Sequence, residues 1–136
     1  MNTTYFKNII MGNVFQTSTA TALPMTYYIG LSSTTPTAAG GNVTEPSSTG
    51  TAYARVQLTS LSAPNDGVIT NSAAITFPES TATWFSSSSP ATHYVIYDAA
   101  TGGNLLMYNA LTASRIIEVN TIATIKASSL YLQLTD

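Results

Sequence analysis

Cysteine is absent from the 136 residues, and only four basic and six acidic side chains are spread among them. The first absence excludes both a disulfide framework and a thiolate metal site. The second leaves 7% of the chain charged, where an average soluble domain has roughly 25%. The net charge is −2 and the cations are scattered as Lys7, Arg55, Arg115 and Lys126, so no basic patch awaits nucleic-acid phosphates and a nucleic-acid partner is disfavoured. No apolar run approaches the roughly 18 residues of a membrane span, and the start of the chain lacks a cationic segment leading into an apolar one with a cleavage site. The expectation is a protein made in a cytoplasm without an export signal and with no membrane partner. Asn2-Thr3-Thr4 and Asn42-Val43-Thr44 match the glycosylation sequon, a match expected by chance in so Asn/Thr-rich a chain.

What fills the space is Ser, Thr, Asn and Ala, together with eight Tyr, four Phe and one Trp. With 44% apolar residues the chain fills one modest core, so a single domain over residues 1–136 is expected. A hydroxyl- and amide-rich surface with few charges suits a subunit held in an assembly better than a free monomer, which relies on interspersed charge to stay apart from its neighbours.

The apolar spacing of Phe6, Ile9, Ile10 and Val14 predicts a short amphipathic helix within residues 1–16, capped by Asn2, Thr3 or Thr4. Its stripe is expected to cover the sheet or to dock on a neighbouring subunit. After a polar stretch, Tyr27, Ile29 and Leu31 alternate as a first strand, with Gly30 marking a close approach of another backbone or a large ring. Residues 32–51 are almost free of apolar side chains and are expected to form a long exposed loop. A second strand over residues 53–58 is expected to turn Ala54, Val56 and Leu58 inward and Tyr53, Arg55 and Gln57 outward. Further strands are expected at 73–77, 93–97, 105–108, 115–119, 121–125 and 129–134. The segment Asp98-Ala-Ala-Thr-Gly-Gly-Asn104 is the turn that sets a hairpin. About eight short strands at regular spacing predict a mainly all-β fold, an antiparallel, jelly-roll-like β-sandwich with a short N-terminal α-helix.

No arrangement of side chains announces catalysis. His93 is alone, and Ser is so abundant that a Ser/His/Asp composition discriminates nothing. Glu45, Asp66, Glu79, Asp98, Glu118 and Asp136 match neither a metal loop nor a local carboxylate pair. A catalytic residue, a metal and a cofactor are therefore not expected. Trp84 and Tyr27, Tyr28, Tyr53, Tyr94, Tyr97, Tyr108 and Tyr131 can be read as a sugar-stacking set, or as core and intersubunit residues. The residues expected to serve packing or interfaces are Phe6, Ile9, Ile10, Tyr53, Arg55, Trp84, His93 and Tyr108.

The sequences around Tyr28 to Thr37, Thr44 to Ser47, Tyr53-Ala-Arg55, Ala74 to Pro78, Trp84, His93 to Asp98 and Gly102 to Leu106 resemble small proteins of tailed bacteriophages and prophages labelled tail fibre proteins. The resemblance covers nearly the entire chain, and its motifs belong to scaffold and turns. It departs at residues 85–92, which lengthen a link that is very short in the family pattern. The resemblance implies a non-enzymatic virion structural protein, present in many copies and assembled in the infected bacterium, in the tail or fibre, at the head-tail junction or on the capsid. Its implied partners are itself and other virion proteins; a host-surface glycan bound by the aromatic residues is the alternative, and a glycan-cleaving enzyme using two of the acids, brought together by the fold, is a third.

Overall fold

The computed structural model describes residues 1–17 and 22–134, so part of the polar stretch before the first strand and the last two positions of the expected 1–136 span lie outside it. One helix and eight strands follow in the order α1 (Thr4–Val14), β1 (Tyr28–Ser32), β2 (Val56–Gln57), β3 (Val68–Thr70), β4 (Ile75–Thr76), β5 (Ala91–Tyr97), β6 (Leu105–Arg115), β7 (Thr124–Ile125) and β8 (Tyr131–Gln133). Thr3 caps α1 by accepting the N–H of Phe6 at 3.2 Å, and its hydroxyl donates to the Leu105 carbonyl at 2.6 Å. The cap thus also fastens the helix to β6.

The main sheet has the order β2-β1-β5-β6, with every pairing antiparallel. β5 lies inside it, and Val95, Ile96 and Tyr97 are all buried because both faces of the sheet are covered. Ile96 faces the larger core with Ile29, Leu31, Phe77, Trp84 and Leu130. Val95 and Tyr97 point to the opposite face, where they meet Leu105, Tyr108 and Val43. Two antiparallel ribbons, β3–β8 and β4–β7, form the layer over the larger core through Ile75, Ile125, Leu130 and Leu132. The result is the expected mainly antiparallel, sandwich-like arrangement with a short N-terminal helix.

The β5–β6 turn works as its sequence predicts. Asp98 accepts the backbone N–H of Asn104 at 2.7 Å and its side-chain amide at 3.0 Å. Gly103 has φ +74°, and a Cβ there would lie 2.5 Å from the Asp98 Oδ1, so both backbone and space demand glycine.

Other segments differ from expectation. Tyr53 is buried and Arg55 half-buried while Ala54 is exposed, which inverts the expected alternation over residues 53–55, whereas Gln57 is exposed and Leu58 buried as expected; only Val56–Gln57 pairs as strand. β6 continues past Tyr108 to Arg115, with an irregular register between Ala91↔Arg115 and His93↔Ala110. Residues 115–119 form no strand of their own: Ile117 bridges Phe85, and Trp84 and Phe85 both donate to its carbonyl. Residues 32–51 are less free than a polar composition suggests. Ser32 is fully buried, its Oγ accepting from the N–H of Thr34 and Thr44, while the Asn42 amide donates to Thr35. The loop is folded on its own hydrogen bonds, as a compact surface loop must be when apolar contacts are few.

Asn71 is fully buried and joins the two ribbons. Its amide donates to the carbonyls of Ala73 and Lys126, and its Oδ1 accepts from the N–H of Ser129 and Leu130. Replacing it strands several buried backbone groups, so Asn71→Ala is expected to lower unfolding free energy by about 2–3 kcal/mol, measured as a fall in the urea midpoint at unchanged slope.

Candidate functional site

Gly30 is the smallest residue of β1, and the space it leaves holds the ion pair of Glu45 and Arg55. A Cβ at position 30 would stand 2.4 Å from the Glu45 Oε1 and 2.8 Å from the Tyr53 hydroxyl. Arg55 grips the carboxylate with two nitrogens, Nη2 to Oε2 at 2.7 Å and Nε to Oε1 at 3.0 Å. Its remaining nitrogen, Nη1, donates to the carbonyls of Ala99 at 3.0 Å and Gly102 at 2.8 Å. The guanidinium lies 3.5 Å from the Tyr97 ring centre, a geometry that adds cation–π attraction. The pair therefore connects the loop 32–51, the segment before β2, the outer face of β5 and the β5–β6 turn.

Tyr53 completes this node. β2 stops pairing with β1 beyond Ile29, and the Tyr53 hydroxyl takes the missing strand's place by accepting the Leu31 N–H at 3.0 Å while donating to Glu45 at 2.6 Å. Trp84 packs edge-on against the Tyr53 ring at 5.1 Å, and its indole N–H donates to the Thr51 carbonyl at 2.7 Å. Burial, reinforced by the Glu45 charge, raises the Tyr53 hydroxyl well above its usual pKa. Burial works against the Arg55 charge, but the bonds to Glu45 outweigh it and its pKa is raised.

The expected packing and interface residues fall into separate places. Tyr53, Arg55 and Trp84 come together in the node, inside the chain. Tyr108 is buried in the cluster on the other face of the sheet. Ile9 is buried under α1, with Phe6 and Ile10 half-buried beside it and Val14 exposed. His93 is half-buried in β5, its Nδ1 within 2.8 Å of the Thr92 hydroxyl, and burial lowers its pKa. Sequence reasoning missed Glu45 as the partner of Arg55; the one signal for the node was Gly30 inside an otherwise bulky strand.

Two of the concavities among the described residues stand out. The smaller, about 280 Å³, lies beside the node, between Thr44-Glu45-Pro46 and Thr83 to Ser86. Its Trp84 is only 7% exposed, so no ring face is free there for stacking. The larger, about 490 Å³, is a groove between the second half of β6 and the β7–β8 region, lined among others by Tyr94, Asn109, Arg115, Lys126 and Tyr131. Among the described residues no group of three His, Cys, Asp or Glu could hold a metal ion, and no helix is long and apolar enough to cross a membrane.

Fold and site together define a small, mainly antiparallel β protein whose most organised polar chemistry holds its own loops and strands in place. The family model described as Podophage GP4 fiber I protein gp80 matches residues 1–133. The chain belongs to this family of phage fibre proteins, and is thereby a structural protein of a phage virion. No curated protein matches it.

The tyrosines supply a test of the node. Tyr53, Tyr94, Tyr97 and Tyr27 all have raised pKa values, chiefly from burial. A raised folded-state value means full stability below the unfolded tyrosine pKa of about 10 and loss of stability as pH climbs above it. Tyr53→Phe is expected to flatten that alkaline loss. It should also cost about 1–2 kcal/mol at neutral pH, because the Leu31 N–H and Glu45 lose a partner; thermal melts from pH 7 to 11 measure both effects.

Proposed function

We propose that this chain is a non-enzymatic building block present in many copies in the phage particle, in the tail or fibre, at the head-tail junction or as a capsid decoration. It is made and assembled in the cytoplasm of the host bacterium, and its partners are its own copies and other virion proteins. The observation that carries this reading is the outer side of α1. Met11 is 56%, Val14 64% and Phe15 69% exposed, in a chain with too few charges to discourage contact. A helix whose inner side is fastened to β6 and whose outer side is apolar suits contact with a neighbouring subunit.

A second reading, recognition of a glycan on the host surface, is supported by one observation. Tyr94 and Tyr131 are drawn together in the larger groove, where the Tyr94 hydroxyl donates to the Tyr131 carbonyl at 2.8 Å, and Tyr131 is 56% exposed.

The first reading is tested by sedimentation velocity and native mass spectrometry. The wild-type chain is expected to self-associate, and Val14→Lys with Phe15→Lys to yield monomer with an unchanged circular dichroism spectrum. A wild-type chain that stays monomeric at millimolar concentration contradicts self-assembly through α1.

A further inference from the structure

The larger groove gathers two of the chain's four cations. Arg115 stands at the end of β6 and Lys126 just beyond β7; among the described residues no acidic side chain lines the groove and neither cation is in an ion pair. Arg115 has one weak internal contact, from Nη1 to the Ser114 carbonyl at 3.4 Å. In a chain with net charge −2 this is a local excess of positive charge beside an apolar floor that includes Leu31, Phe77 and Leu130. Its volume of about 490 Å³ falls in the range of roughly 300–1,000 Å³ typical of small-ligand sites.

We infer that this groove binds an anionic saccharide, the carboxylate or phosphate of the sugar meeting Arg115 and Lys126 and a ring face meeting Tyr131. The inference rests on the glycan reading above and names its chemical class. Tyr131 offers an exposed ring, and the exposed Asn109 offers both a donor and an acceptor for sugar hydroxyls. Two cations with no wider basic field match one or two charges on a short ligand rather than the regular charge of a nucleic-acid backbone. The walls are held in place before any ligand arrives. Asn71 fixes the backbone from Lys126 to Leu130, and the Tyr94 hydroxyl fixes that of Tyr131. A site pre-formed in this way loses little freedom on binding.

The test is a titration of the full-length chain, followed by nuclear magnetic resonance at about 50 mM salt, where charge contacts are least screened. Four probes are used: a uronic-acid tetrasaccharide, its carboxyl-reduced neutral counterpart, a hexose phosphate and inorganic phosphate. At least one anionic sugar is expected to bind about tenfold tighter than the neutral tetrasaccharide; which one does so identifies carboxylate or phosphate as the anion. Arg115→Gln combined with Lys126→Gln is expected to abolish that preference, and Tyr131→Ala to weaken the sugar without changing binding of inorganic phosphate. All three positions are exposed, and unchanged circular dichroism verifies folding. Equal binding of neutral and anionic sugars overturns the inference and leaves the glycan reading standing. Inorganic phosphate binding as tightly as either anionic sugar overturns the saccharide assignment. Failure of every sugar to bind overturns inference and glycan reading together, while the assembly reading stands on its own measurement.

Discussion

Arg55 and Glu45 form the one ion pair among the described residues, and the arrangement of the chain depends on it. Burying two charges is costly, and a pair of this kind adds little net stability unless its remaining donors and acceptors are also satisfied. Here they are. Arg55 spends its nitrogens on one carboxylate and two turn carbonyls, and Glu45 also receives the Tyr53 hydroxyl. Two stretches of the chain, 45–55 and 97–102, which are distant in sequence, are thereby held in one relative position. A hydrophobic contact of similar area would hold them together without fixing direction; the planar guanidinium and the carboxylate fix both. Gly30 is the steric condition for this, since any side chain there would occupy the site of the carboxylate.

This arrangement explains how a loop with almost no apolar residue stays folded. Residues 32–51 are closed by Ser32, Thr34 and Asn42 at one end and held by Glu45 at the other. The same economy shapes the surface. One carboxylate and one guanidinium are used inside, and the few remaining charges are spread thinly over hydroxyl and amide groups. Such a surface permits close approach of neighbours without the desolvation of many ions, which suits a structural protein of a virion.

Much of the fold was legible because it is written locally. The Thr3 cap, the helix that follows it, the β5 strand and the Asp98 to Asn104 turn each depend on residues adjacent in sequence, and the structure places them as expected. The node was not legible. Alternation placed Tyr53 and Arg55 outward, because period-two patterning assumes a polar side chain seeks water and cannot see a carboxylate ten positions earlier awaiting it. The two-residue strands β2, β4 and β7 fall inside the expected segments 53–58, 73–77 and 121–125, but their shortness and their pairing were not legible, since both are decided by partners distant in the chain. The groove escaped notice for the same reason: Arg115 and Lys126 read as isolated cations until the fold brings β6 beside the β7–β8 region.

A node that fixes loops, a helix with an apolar outer side and a surface poor in charge together describe a component shaped for a fixed place among neighbours. The most direct measurement is quantitative mass spectrometry of purified intact particles, with the protein's abundance set against that of the major capsid protein. A reproducible stoichiometry of several copies per particle is expected; absence from particles, or less than one copy in each, overturns the assignment as a multi-copy structural component.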